Sequence, residues 1–436
     1  MEILIYSHKT TNRLLYITKV ICKSILGLEP IITQSKETFL NYAGLKICYS
    51  YKDLNEGIFI QATHLLFETG ISEQNITTNK TKDIPYFFET NKNIAIPFDL
   101  FAASFFMITR YEEYLPHRRD QYNRFEATES IAFQNGFLNI PVVNKWAILL
   151  KETLAAQYPE YALPTSTYRF ISTIDIDNAY AYKEKGITRT TGALFRDVLK
   201  FRLDSVKQRI LVLFGIEKDP FDTFNFLLNI HKKYKLRPTY FFLLADYGTN
   251  DKNVSVRSRK FQSLIKSIAD YANVGIHPSF ASATNAQKIH KEINRLSYFV
   301  KREIEKSRQH FLMLHFPGTY KQLIENNIKE DYTMGFSSEP GFRAGICTPY
   351  PFYDLDNECE TPLTIFPFAL MESTLMYYKK YSAEEAKKVI ADLIQEVKNV
   401  NGTFISLWHN DSLCEQGIWK NWQSVFEYLL EKATTQ

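Results

Sequence analysis

The sequence predicts an α/β chain in two parts: a small α/β domain over residues 1–165, then a distorted (β/α) barrel of about seven strands over residues 166–436. Three observations carry this reading. A chain of 436 residues exceeds what one hydrophobic core usually organises. The stretch YPEYALPTSTYR, Tyr158 to Arg169, holds Pro159 and Pro164 and no periodicity, which marks a boundary. Beyond it, short β-rich runs alternate with helical stretches, the pattern of a parallel sheet covered on both faces.

Taken in order, EILIYS (Glu2 to Ser7) reads as a strand, and Leu14, Ile17, Val20, Ile21 and Ile25 follow at helical spacing. LKICYS and GIFIQA, at Leu45 and Gly57, are further strand candidates. DLFAASFFMITRYEEYL, Asp99 to Leu115, is apolar all round, which predicts one long buried helix ended by Pro116. A second helix carries Trp146, Leu149, Leu150 and Leu154 up to the boundary. No fixed-period repeat or low-complexity tract interrupts the chain.

In the second part the β-rich runs are RFISTIDID, PTYFFLLAD, NVGIHPS, QHFLML, YTMGF, TIFPFA and TFISLWHND. Seven such units suit a barrel better than a short open sheet. Chemistry in such barrels collects at the C-terminal ends of the strands. An insertion of about residues 178–235 separates the first two runs and reads as a lid or partner surface.

A net charge of +4, from 52 basic and 48 acidic residues, gives no basis for a nucleic-acid partner. One local excess, Arg189, Arg196, Lys200, Arg202, Lys207 and Arg209, lies on an amphipathic pattern; it reads as a solvated helix face or as a peripheral contact with membrane headgroups or an anionic glycan. Five scattered cysteines without a C-x-x-C pair read as free thiols of a reducing compartment. The first residues lack a signal-like apolar run and nothing later is long enough to span a bilayer, so the expected location is cytoplasmic.

The polar residues that end the strand runs are where chemistry is sought. TIDIDN ends the first run with Asp175 and Asp177 two residues apart, hence on one side of a strand, where one carboxylate can bind a cation and the other accept a proton. The pair is also compatible with an ordinary turn. His277, in NVGIHPS, can ligate a metal through one ring nitrogen while an acceptor holds the other, or can be a structural histidine. His409, in SLWHND, ends the last run, which in a closed barrel lies beside the first, so it can face the acid pair and donate a proton. An acid pair and two histidines on three strand ends are together what metal-assisted hydrolysis requires.

With these residues in place the chain, from about Tyr168 onward, resembles the polysaccharide deacetylases of the NodB-homology group, also called carbohydrate esterase family four. TIDIDN matches the first motif of that family, PTYFFLLAD its second strand, IHPS its metal-histidine motif and SLWHND its closing motif. The resemblance implies a catalytic base at Asp175, a metal ligand at Asp177, a second at His277 and a general acid at His409. The family's arginine, which tethers the base, is best matched by Arg308 in SRQHFLML. One departure stands out. The second metal histidine of the family falls at Ala281, and two protein ligands hold a catalytic zinc poorly. His310 is the best replacement, because QHFLML is itself a strand candidate; His315 and His290 rank below it.

The expected activity is removal of acetyl groups from an N-acetylated sugar in a polysaccharide, glycan precursor or glycolipid, with a divalent metal, zinc first. The alternative is a degenerate barrel that binds carbohydrate without catalysis. Between the fifth and sixth runs, PGFRAGICTPYPFYDL is expected to reach the substrate, with Arg343 on a hydroxyl or acid group and Tyr350 and Tyr353 stacking on sugar rings, or to pack its aromatics inward.

Overall fold

The computed structural model describes residues 1–435. The N-terminal part is built on four parallel strands, β1 (Glu2–Ser7), β2 (Glu29–Thr33), β3 (Lys46–Ser50) and β4 (Ile58–Gln61), in the order β2-β1-β3-β4. Parallel neighbours need crossovers, and the helix Asn12–Thr18, capped by the Thr11 hydroxyl, supplies the first. A small antiparallel pair follows, β5 (Asn79–Thr81) and β6 (Ile84–Tyr86).

The apolar segment after Asp99 forms a helix only over Leu100–Ile108, every residue of it buried. The single long helix expected through Leu115 stops early because Arg110 turns left-handed (φ 53°) and a 3-10 turn, Tyr111–Tyr114, replaces the last turns. Ion pairs to Glu112 and Glu113 hold the buried Arg110 in that conformation. The helix Val142–Gln157 then packs against the second part, where the Val143 amide donates to the Gly345 carbonyl. One continuous apolar core runs through both parts.

The C-terminal part is a nine-stranded sheet. Its strands are β7 (Arg169–Ile176), β8 (Thr239–Phe242), β9 (Asn273–Ile276), β10 (Lys306–Ser307), β11 (Glu330–Asp331), β12 (Tyr350–Asp354), β13 (Cys359–Ile365), β14 (Leu370–Met371) and β15 (Thr403–His409). The order is β12-β13-β11-β10-β9-β8-β7-β15-β14, parallel except for β12 on β13. The last long strand does lie beside the first, with His409 opposite Asp175. The run from Cys359 to Met371 touches both flanks of the sheet: the Phe366 and Phe368 amides donate to Asp331 and Met334 carbonyls, and the Ala369 amide to that of Ile405.

Two expected strands are displaced. QHFLML is not a strand: pairing ends at Ser307, and His310–Leu312 is a 3-10 turn in which Phe311 and Leu312 adopt φ of 58° and 53°. For YTMGF the paired residues are Glu330 and Asp331, just ahead of it. The segment expected as a loop between Pro340 and Leu355 ends in a strand, since Tyr350–Asp354 forms β12. The insertion carries two helices, Ile187–Leu199 and Leu203–Leu213, with a third, Phe224–Lys233, beyond them.

Candidate metal and acid-base site

The C-terminal ends of β7, β9 and β15, with the turns after β10 and β14, surround a cavity of about 200 Å³. Asp175, Asp177, His277, His310 and His409 all line it. β7 positions the acid pair, with Asp175 in its last turn of pleat and Asp177 just past its end.

Asp175 is clamped from behind. The Arg308 guanidinium donates to its Oδ1 at 2.9 Å and to the Thr173 hydroxyl at 2.7 Å, while Nε donates to the Tyr332 carbonyl. The guanidinium lies over the Phe241 ring, 4.7 Å from its centre. That ring fits because Gly275 sits beside it: a Cβ there would come within 2.6 Å of Phe241 and 2.8 Å of the Lys306 carbonyl. An arginine locked on three sides holds one carboxylate oxygen and leaves the other facing the cavity.

Around Asp177 the hydrogen bonds define tautomers. His277 Nδ1 lies 2.5 Å from the Arg308 carbonyl, an acceptor, so Nδ1 carries the hydrogen and Nε2 presents its lone pair. That Nε2 points at Asp177 Oδ1, 3.1 Å away, and this buried oxygen has no hydrogen-bond partner. His310 repeats the arrangement: Nδ1 is held by Asp251 at 2.9 Å and Nε2 faces Asp177 Oδ2 at 3.4 Å. Acceptor facing acceptor is stable only with a proton or a cation between them. The three donor atoms lie within 4.8 Å of one another, and two imidazoles with a carboxylate are a donor set that suits zinc.

Charge points the same way. Asp175, Asp177, Asp251 and Glu372 gather here, with Asp411 beside His409, and Arg308 is the guanidinium paired with them. Burial opposes ionisation of Asp177, yet the His310, His277 and His409 rings around it, in so far as they carry protons, hold its carboxyl well below the ordinary range. Burial would lower His310, but Asp177 and Asp251 together push it up to about 9. Such a site draws positive charge, as protons on its histidines or as a metal in their place.

His409 stands on the other side of Asp177, with Nε2 3.7 Å from its Oδ2. Glu372 Oε1 accepts from His409 Nδ1 at 2.7 Å and from its amide at 3.1 Å. Burial works against a charged ring, but Glu372 and Asp177 keep His409 protonated well above its ordinary range. A buried carboxylate that fixes the tautomer and sustains the imidazolium makes a proton donor at neutral pH.

The residues expected to contact substrate lie elsewhere. Arg343 lines a neighbouring cavity of about 410 Å³, but Glu113 from the N-terminal part takes its guanidinium at 2.6 and 2.9 Å. Tyr350 and Tyr353 are buried between the two parts, since their strand turns both rings inward; Tyr353 packs on Tyr16 and Phe105 and donates to Glu358. The aromatic residues at the mouth are instead Phe311, Tyr377 and Tyr378, with Arg124 reaching across from the N-terminal part to the Phe311 carbonyl.

Asp251 and Glu372 escaped the sequence reading. Glu372 ends the run that begins at TIFPFA, so the rule applied to the other strand ends finds it one step further along. Asp251 lies in a loop, and no local pattern signals it. Its carboxylate also accepts the amides of Phe280 and Ala281, so the backbone at Ala281 anchors the group that orients His310.

A family of unknown function (DUF7033) matches residues 3–159. No curated protein sequence matches the chain. Among solved structures, the chain is similar to a protein designated a polysaccharide deacetylase from Mycobacterium smegmatis, at 13% identity and a TM-score of 0.41, covering 63% of this chain and 87% of that one. It is also similar to a polysaccharide deacetylase from Bacillus cereus, at 12% identity and a TM-score of 0.29, covering 61% of this chain and 86% of that one. A CE4 family pseudoenzyme from Bacillus anthracis gives 12% identity and a TM-score of 0.29, with 61% of each chain covered.

Proposed function

We propose that the chain is a metal-dependent hydrolase that removes acetyl groups from an N-acetylated glycan, on a sheet that curves into a distorted barrel through the Cys359–Met371 run. The observation that carries this reading is the set of lone pairs on Asp177, His277 and His310 converging beside an arginine-clamped carboxylate and a carboxylate-held imidazole. Those three residues would hold the ion, and His310 takes the place left open at Ala281. When bound, a divalent ion, zinc by preference, supplies Lewis acidity toward water and the acetyl carbonyl.

The remaining chemistry belongs to the side chains. Asp175, fixed by Arg308, accepts a proton from the attacking water. His409, charged and oriented by Glu372, delivers a proton to the departing nitrogen, so that the C–N bond breaks to give acetate and a free amino sugar. Tyr377 and Tyr378 offer aromatic faces at the mouth for a sugar ring, and the adjoining cavity, which shares Arg124, Leu312, Ser337 and Tyr378, extends the groove.

Acetate release from a panel of N-acetylated sugars and oligosaccharides, with metal analysis of the same preparation, tests this. Asp175→Asn is expected to lower turnover by about 10²–10⁴-fold with the metal content unchanged. Metal-loaded protein that binds glycans yet releases no acetate from any of them would favour the carbohydrate-binding reading instead.

A further inference from the structure

We propose that the helical hairpin from Ile187 to Ile216 docks the protein on an anionic lipid surface, with the pocket turned toward that surface. The observation is a hairpin built inside out. Among the described residues, ten of the 21 exposed large hydrophobic side chains lie in this stretch; Phe201, Ile187 and Phe214 are 87%, 84% and 79% exposed. Exposed apolar residues scattered singly are ordinary, whereas this density marks a surface that meets something apolar. Inside the same two helices the buried residues are Asp197, Arg209 and Val212.

The exposure is held in place by specific bonds. Arg209 pairs with Asp197 at 2.8 Å and lies over the Tyr182 ring, and Tyr182 donates to Gln208. At the root, the Asp219 carboxylate accepts amides from Ala181, Tyr182 and Lys183 on the way in and from Phe221 on the way out. Polar groups staple the hairpin from within, which leaves its apolar side chains outward.

Charge selects the occupant. Arg196, Lys200, Arg202 and Lys207 are exposed on the hairpin, and the single exposed acid between Ile187 and Ile216 is Asp204. A second copy would bring the same positive face against this one and be repelled. Apolar side chains interleaved with lysine and arginine suit a bilayer surface of anionic headgroups, where the rings enter the acyl boundary and the cations stay at the phosphates.

The hairpin also sits at the end of the sheet where the pocket opens. It is joined to Asp177, at the end of β7, through residues 178–186, and Arg189 donates to the carbonyls of Lys252 and Asn253, next to the Asp251 that holds His310. Docking therefore presents the pocket to a glycan carried on lipid. That consequence rests on the deacetylase reading, whereas docking itself does not.

The test is co-sedimentation of the full chain with vesicles of phosphatidylcholine alone and with one third phosphatidylglycerol. Binding to the anionic vesicles is expected, with a loss of about a hundredfold on combining Phe201→Asp with Phe214→Asp. Arg196→Glu with Lys200→Glu should weaken anionic binding by about fivefold or more per residue. Unchanged circular dichroism and metal content identify the variants as folded. No binding of the parent chain to anionic vesicles, or full binding by the Phe201/Phe214 variant, overturns the proposal. So does a dimer in sedimentation that the Phe201/Phe214 variant dissociates, because it gives the patch to a second copy.

Discussion

Two clusters of buried charge lie a short way apart in this molecule, and they differ in how completely they are balanced. At the joint between the two parts, Arg110 and Arg343 meet Glu112 and Glu113 at 2.6–2.9 Å, two cations against two anions. Around Asp177, carboxylates outnumber the guanidinium paired with them, Arg308, and imidazole lone pairs point at carboxylate oxygens. Balance makes the first a structural joint, and imbalance gives the second a demand for a cation. The two should therefore answer to mutation in different currencies, the joint in stability and the pocket in binding.

The largest effect is expected at the joint. Glu113→Ala leaves Arg110 and Arg343 buried with only Glu112 between them, and breaking such a pair costs about 3–5 kcal/mol. Urea unfolding should show that loss, while metal affinity of the folded protein stays within about twofold, since Glu113 does not line the cavity around Asp177. A variant of unchanged stability that loses its metal would reverse the contrast between the clusters.

The same contrast explains what could be read in the sequence. Asp175 and Asp177 were legible because strand alternation puts both on one side, and His277 and His409 because each ends an apolar run. The placing of His409 beside Asp175 followed from setting the last run next to the first, as in a closed barrel, and β15 does pair with β7. His310 was singled out for a reason the fold does not bear out: the strand assigned to it is a turn, and its ring faces Asp177 with Nδ1 held by Asp251. Arg343 was misplaced because its partner, Glu113, lies 230 positions away, and pairing at that range leaves no local pattern. Tyr350 and Tyr353 had the composition of a sugar platform, but β12 turns them into the core. Side-chain type is local information, whereas balance and burial belong to the whole fold.

A buried histidine without a charged partner supplies the control for this contrast. His231 donates from Nδ1 to the Leu227 carbonyl and accepts at Nε2 from the Ser172 hydroxyl, and burial pushes its pKa down to about 4. Between the ordinary 6.5 and about 4, the unfolded chain takes up a proton that the folded chain refuses. Stability is therefore expected to fall as pH drops through that window, by about 3 kcal/mol for this group. His231→Gln should flatten that part of the dependence in urea unfolding at pH 7, 5.5 and 4.5, and parallel curves for parent and variant would assign the acid sensitivity to other groups. Burial acts on His310 as well, yet Asp177 and Asp251 reverse the direction, so the sign of the shift reports the local charge balance.

The smallest effect, and the most discriminating, is expected at Asp251. Its carboxylate takes the hydrogen of His310 Nδ1 and two backbone amides, so it both selects the tautomer and fixes the ring. Asp251→Asn keeps one oxygen, for the Phe280 amide and His310 Nδ1, but loses the acceptor of the Ala281 amide and removes the charge that commits Nδ1 to carrying the hydrogen. Fold stability should then fall by only about 1–2 kcal/mol, for the Ala281 amide left without its acceptor, whereas zinc affinity, measured by competition with a chromogenic chelator, should fall about 10–100-fold. His277, held by the Arg308 carbonyl, keeps its orientation in that variant, so residual affinity is expected. Unchanged affinity would mean that the loop around Asp251 only pins the backbone at Phe280 and Ala281, and that His310 finds its orientation without it. A loss confined to affinity would instead locate the compensation for Ala281 in a pair of residues, the replacement ligand and the carboxylate that aims it.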